Sequence, residues 1–138
     1  MKEINIVSLQ MIKTDTLSYL KDCITSPEDV AETIQSFIVN YDLEHRILIC
    51  MNSKNEPTHS NSDSSREIFK TTILSNVNSI IPVHNNSSSN VTPSPKDINV
   101  IELIMFIIEM MGILFYDCII YSDCKTYSIR RYNLKLEV

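Results

Sequence analysis

The chain has 138 residues, the size of one ordinary domain, and carries 12 Lys and Arg against 17 Asp and Glu, a net charge of −5. Hydrophobic residues make up 43% and charged residues 21%, which indicates a folded globular chain rather than a disordered one. The acidic balance supplies no basic face for phosphates, so nucleic acid is not an expected partner. A single glycine excludes the glycine-rich phosphate loops of dinucleotide-binding and P-loop proteins.

The sequence contains four cysteines, Cys23, Cys50, Cys118 and Cys124. They form no C-x-x-C pair, and no secretory segment is recognised before them, so we expect a cytoplasmic protein with reduced thiols. The most apolar stretch, residues 100–121, includes Glu102, Glu109 and Asp117, which are costly at bilayer depth. We therefore expect no membrane span there, and interpret the stretch as a buried core helix followed by a strand.

The first half of the chain predicts a helix, a strand, a loop and a second helix. Ser26-Pro27-Glu28-Asp29 is typical of a helix start, with a serine cap, proline in the first position and acids in the first turn. The apolar run 46–51 predicts a buried strand, and the Ser- and Asn-rich segment 52–65 predicts a loop. Residues 66–77 predict a helix whose inward face includes Ile73.

The second half predicts a strand at 79–84, a polar loop at 85–92 and an apolar helix from Pro95 to about Met111, ended by Gly112. Short strands are expected at 118–121, 126–130 and 134–138. Helices that alternate with strands indicate a single α/β (α+β) domain over residues 1–138, with sheet and helices packed in layers.

The residues around the polar loop suggest a site. A histidine, His84, ends the strand, and Ser94 and Asp97 lie at the start of the next helix. The segment from His84 to Asp97 resembles the motif H-x-H-P-S-G-D-x-x-P-S-x-x-D of the RadC branch of the JAB/MPN (JAMM) metallo-hydrolase family. His84 matches the first histidine and Asp97 the last aspartate, but Asn86 stands at the second histidine.

The resemblance extends from about residue 3 to residue 131. Four further segments are similar to the family's S-P-E-D-V, R-E-H, P-R-E-I-F and L-D-H-I-I: Ser26-Pro27-Glu28-Asp29-Val30, Leu43-Glu44-His45, Arg66-Glu67-Ile68-Phe69 and Tyr116-Asp117-Cys118-Ile119-Ile120. The implied fold is a three-layer, cytidine-deaminase-like arrangement, a curved mixed sheet with helices on both sides. The family has a strand and a glycine where this chain has the shorter segment 52–65, and Pro57 disfavours a replacement strand. We therefore expect a sheet that is one strand short.

The resemblance also implies a catalytic zinc held by His84, residue 86 and Asp97, with Glu44 as general base and Ser94 stabilising the oxyanion. Catalytic zinc needs three protein ligands and an open position for water. The neutral amide of Asn86 binds zinc far less well than an imidazole, so zinc should be weak or absent unless His59 or Cys118 substitutes. Without the resemblance, Ser94 and Asp97 are explained by helix capping alone.

Two functions follow from this site. The first is a catalytically impaired relative of zinc-dependent (iso)peptidases, a pseudoenzyme that binds or scaffolds a protein or peptide partner. The alternative is an active zinc metallo-hydrolase of amide bonds with an altered third ligand. The family's association with DNA repair gains no physical support from an acidic chain. An exposed face of the helix over residues 98–111 would suit a homodimer.

Overall fold

The computed structural model describes residues 1–8, 10, 12–13, 23–38, 45–61, 70, 72–73, 77–85, 91–122 and 125–132. These residues form a mixed sheet and three helices of four or more residues, which confirms the predicted layered α+β architecture. In chain order the elements are α1 (Pro27–Ile38), β1 (His45–Met51), β2 (Pro57–Asn61), β3 (Ser79–Asn85), α2 (Pro95–Met110), β4 (Leu114–Phe115), β5 (Ile119–Ser122), β6 (Lys125–Ser128) and α3 (Ile129–Tyr132).

Strand β3 lies at the centre of the sheet, whose order is β2-β1-β3-β5-β6. Along one edge β3 pairs antiparallel with β1 over its whole length. On the other edge it pairs in parallel, first with β4 and then with β5. Parallel neighbours require a crossover connection, and α2 supplies it between β3 and these two strands.

The sheet separates two hydrophobic cores. Successive side chains of a strand point to opposite faces, so Ile81 and Val83 enter the core on the α1 side while Ile80 enters the core on the α2 side. The α1-side core contains Ile24, Val30, Ile47, Ile49, Met51, Ile81, Val83, Ile119 and Tyr121. The α2-side core contains Leu48, Cys50, Ile80, Ile108, Phe115, Cys118, Ile120 and Ile129.

The expectation of a loop throughout 52–65, and of a missing strand, is wrong at residues 57–61, which form β2. This strand pairs antiparallel with β1 and is the edge strand of the sheet. Pro57 is its first residue, opposite Met51 where the register shifts, and proline is tolerated at the start of an edge strand. The turn before it is held by Asn52, whose Oδ1 accepts the N–H groups of Lys54 (2.9 Å) and Glu56 (3.0 Å).

The predicted second helix is described at only a few positions. Lys70, Thr72 and Ile73 are helical, as predicted. The predicted inward face is wrong at Ile73, which is 60% exposed, because the helix turns its neighbour Thr72 into the interior instead. Successive residues of a helix are about 100° apart, so a helix that buries Thr72 turns Ile73 away from the interior. The rest of this helix and the predicted strand 134–138 lie outside the described residues.

Helix α2 ends where its sequence predicts. Gly112 adopts φ +76, the left-handed conformation that favours glycine. Its N–H donates to the carbonyl of Glu109 (3.0 Å), and the N–H of Ile113 donates to the carbonyl of Ile108 (3.2 Å). These two bonds are the Schellman pattern, which satisfies the last carbonyls of a helix. They turn the chain directly into β4.

A buried carboxylate ties the start of β5 to the start of α3. Asp117 is 6% exposed, and its Oδ1 accepts the N–H groups of Cys118 (2.7 Å) and Arg130 (3.1 Å). Its Oδ2 accepts the hydroxyl of Ser128 (2.5 Å), and the same Ser128 oxygen accepts the N–H of Arg131 (3.0 Å). Burial raises the pKa of the Asp117 carboxyl, although these hydrogen bonds oppose the rise.

We expect Asp117→Ala to lower the free energy of unfolding by about 3 kcal/mol or more, because three buried donors lose their acceptor. Asp117→Asn keeps an acceptor for the two N–H groups, and its amide can donate to Ser128, so it should cost about 1 kcal/mol. Urea unfolding of the two variants beside the wild type measures both values. Equal losses for Ala and Asn would contradict this account.

The raised pKa also predicts a pH dependence. The folded state holds the Asp117 proton more tightly than the unfolded chain does. The stability of the wild type relative to Asp117→Asn should therefore fall as pH rises from about 4, where an unfolded aspartate titrates, through the folded-state pKa, and level off above it. Free energies of unfolding of both proteins over a pH series test the sign. A difference that grows with pH in favour of the wild type would refute it.

Candidate metal centre

His84 occupies the penultimate position of β3 and is half-buried. It shares the strand phase of Ile80, so it projects on the α2 side of the sheet. Its ladder partners are Arg46 on β1 and Ile120 on β5. β1 begins at His45, opposite Asn85, so the first residue of β1 lies beside the last residue of β3 at one end of these strands.

The N-terminus of helix α2 lies near the C-terminal end of β3. Its C-terminal end leads into β4, which pairs with the first residues of β3, so α2 runs antiparallel to β3. Sixteen helical residues span about 24 Å, and the seven residues of β3 span about 23 Å, so the two elements are matched in length. His84 and the first turn of α2 therefore both lie near the C-terminal end of β3, on the same face of the sheet.

Ser94 and Asp97 form a reciprocal capping box at the start of α2. The Ser94 Oγ accepts the N–H of Asp97 (3.2 Å), and the Asp97 Oδ2 accepts the N–H of Ser94 (3.0 Å). Both residues are exposed. Each side chain satisfies a backbone N–H that the helix itself leaves unpaired. The capping interpretation made from sequence is confirmed, and it accounts for both residue types without a metal.

The strand register does not bring His59 to His84. His59 pairs with Cys50 on β1, whereas His84 pairs with Arg46 on the opposite edge of the same strand. Four residues along β1 are about 13 Å, and two strand spacings add about 10 Å in the perpendicular direction. The two backbones are thus about 16 Å apart, which is too far for two histidines to share one zinc at about 2 Å from each ring.

Cys118 lies deeper in the molecule than His84. The pairing of Val83 with Ile119 places Cys118 level with Pro82, two residues or about 7 Å further from the strand end. It is buried in the α2-side core, where Phe115 and Ile120 are also buried. In that position Cys118 behaves as a small apolar side chain.

The described residues at the C-terminal end of β3 do not by themselves fit a catalytic zinc. Within the part of the chain that the structure describes, no group of three His, Cys, Asp or Glu side chains could hold a metal ion. Glu44 and Asn86 lie outside the described residues. By sequence, the three family positions supply one imidazole, one carboxylate and the neutral amide of Asn86, where such a zinc needs three good ligands.

A cleft of about 340 Å³ lies elsewhere, on the α1 side of the sheet. Ile81, Val30 and Tyr116 line it together with Asp117 and Arg130. Its polar groups are engaged within the protein: Asp117 holds the three donors described above, and the Arg130 Nη2 donates to the carbonyl of Phe115 (2.9 Å). This cleft and His84 are therefore on opposite faces of the sheet.

Comparison with protein families matches the description RadC-like JAB domain to residues 24–134. The chain belongs to this RadC-like JAB family. It is 35% identical over 124 residues to a UPF0758 protein of Staphylococcus epidermidis, covering 83% of this chain and 55% of that protein. A UPF0758 protein of Staphylococcus haemolyticus is 36% identical over 116 residues, which are 77% of this chain and 51% of the relative.

The RadC-like JAB domain described here spans about half the length of the curated relatives it matches. A third relative, a UPF0758 protein of Syntrophomonas wolfei, is 30% identical over 129 residues and is likewise covered over 55% of its length. In the described ranges, no helix of this JAB domain is long and apolar enough to cross a membrane.

The capping box predicts a measurable loss of stability. Ser94→Ala should lower the free energy of unfolding by about 1 kcal/mol, because an N–H in the first turn of α2 loses its acceptor. Ser94→Asn should restore most of that stability, since asparagine caps helices as well as serine does. Urea unfolding compares the variants, and an equal loss for Ala and Asn would contradict the capping role.

Proposed function

We propose that this RadC-like JAB domain is a binding or scaffolding module for a protein or peptide, and that it no longer hydrolyses amide bonds. The observation that carries the proposal is Asn86, which stands where the family places its second zinc-binding histidine. A neutral amide oxygen is a weak zinc ligand beside an imidazole, and two good ligands do not make a catalytic zinc site.

The positions of the two substitute ligands support this proposal. His59 is separated from His84 by the width of β1 and about four residues along it. Cys118 is part of a packed core, and among the described residues it forms no three-ligand group with His84 and Asp97. Both observations count against a substitute for the second histidine.

The persistence of Ser94 and Asp97 does not argue for catalysis. Their mutual hydrogen bonds give both residues a structural reason to be present at the start of α2. The alternative, an active zinc metallo-hydrolase, is favoured by one observation: His84 and Asp97 both lie near the C-terminal end of β3, on the same face of the sheet. It would need a third ligand from outside the described residues, and Glu44 as its base.

Metal content separates the two functions. The protein, purified without a polyhistidine tag, offered zinc and dialysed, should retain far less than one zinc per chain by elemental mass spectrometry. Asn86→His should approach one zinc per chain, because it restores a second imidazole to the site. Adding His84→Ala to that variant should remove the metal again, which serves as the control for binding elsewhere.

Two outcomes would contradict this view. One zinc per chain in the wild type, lost in His84→Ala alone, would favour the hydrolase. An Asn86→His variant that folds but binds no zinc would show that residue 86 does not occupy the second ligand position.

A further inference from the structure

Helix α2 is apolar over most of its circumference, interrupted by Glu102 and Glu109 on one flank, and the described residues cover only one side of it. Its inward side chains, Ile101, Ile104, Met105 and Ile108, pack in the α2-side core. The opposite side exposes Leu103 (59%), Phe106 (62%) and Met110 (73%). An apolar face of a helix is normally buried against another part of the structure. The interpretation of residues 100–121 as beginning with a buried core helix is therefore wrong for half of this helix.

The exposed side chains form one continuous band, which we call the outer stripe: Val100, Leu103, Phe106, Ile107 and Met110. The positions 103, 106, 107 and 110 follow the i, i+3, i+4, i+7 spacing of a helix–helix contact. Met111, which is 38% exposed, continues the stripe at the helix end. Scattered exposed apolar residues are ordinary, but a band along three turns of one helix is not.

We propose that the outer stripe is the contact surface of a homodimer, in which α2 of one copy packs against α2 of a second copy about a two-fold axis. A two-fold interface brings the same patch of each copy together, so the patch must be complementary to itself. The outer stripe meets this condition, since it is apolar apart from Asn99, an exposed residue at its N-terminal end. The charged residues of α2 lie off the stripe: Lys96 and Asp97 precede it in the first turn, and Glu102 and Glu109 border one flank.

The size of the surface fits a second copy. The outer stripe with its continuation exposes on the order of 600 Å² of apolar area, the upper end for a patch on a monomer. Complete burial of two such surfaces would remove about 1,200 Å² in total from water, the lower end of specific protein interfaces. The stripe extends over eleven residues, or about 15 Å along the helix axis, a length over which two packed helices can stay in contact.

The extended N-terminal residues of the same chain are the competing occupant. Ile4, Ile6 and Val7 are exposed in residues 1–8, where the structure has no helix or strand. An arm with alternating apolar residues could cover part of the outer stripe in place of a partner. A short arm can cover it within one chain, whereas the proposed contact depends on protein concentration, so the two are separable by mass.

Sedimentation velocity over a range of micromolar concentrations tests the proposal. The wild type should sediment as a dimer, with twice the 15.9 kDa of one chain. Phe106→Glu should weaken association at least about a hundredfold, because two unpaired carboxylates would be buried in the contact. Phe106 is exposed in the single chain, so the variant should fold, and circular dichroism with unfolding midpoints verifies this.

Ile6→Glu is the matched control, since it also replaces an exposed apolar side chain by a carboxylate, outside the outer stripe. It should leave the dimer intact. A wild type that stays monomeric at the highest concentration, or a Phe106→Glu variant that dimerises as the wild type does, would overturn the proposal. So would an Ile6→Glu variant that dissociates as readily as Phe106→Glu.

Oxidative cross-linking provides a positive test that does not depend on breaking the dimer. In a chain whose Cys23 and Cys124 are replaced by serine, Phe106→Cys lies near the middle of the outer stripe, where a two-fold axis brings it next to its own copy. Copper-catalysed oxidation should convert most of this variant to a disulfide-linked dimer. Ile6→Cys in the same background should not cross-link to a comparable extent, and equal cross-linking of both would overturn the proposal.

Discussion

The hydrogen bonding of β3 on both edges is the constraint on which the rest of the molecule depends. β1 occupies one edge for all seven residues, and β4 and β5 share the other. Because β3 is fixed from both sides, its alternating side chains are assigned to the two cores without freedom to slip by a residue. The same pairing determines the face on which His84 projects, and α2, the crossover that the parallel pairing requires, lies over that face.

Elements with local determinants were predictable from sequence. The start of α2 follows from Ser94 and Asp97, and its end from Gly112, because caps depend on neighbouring residues. β2 was missed because its residues carry little apolar character, and an edge strand is stabilised by pairing with β1 rather than by its own burial. The error at Ile73 has a related cause: the pattern shows a helix, but neighbouring elements decide its rotation.

The same difference between local and long-range determinants applies to the candidate site. The capping box and the location of His84 at a strand end could be read from the order of residues along the chain. The relation between His59, Cys118 and His84 could not, because it depends on strand register, which pairs residues far apart in sequence. The sequence suggested an exposed face on α2, but it did not indicate which side of so apolar a helix meets the sheet.

The capping box has a consequence for how such domains diverge. Ser94 and Asp97 complete the backbone hydrogen bonding of α2 whether or not any chemistry takes place beside them. A residue that also caps a helix keeps a reason to be present if metal binding is lost, whereas a position that serves only the metal does not; under the proposed function, Asn86 stands at such a position. In this family the serine and aspartate would then be the last traces of a lost activity, and the second histidine the more informative position for judging whether a given member is still an enzyme.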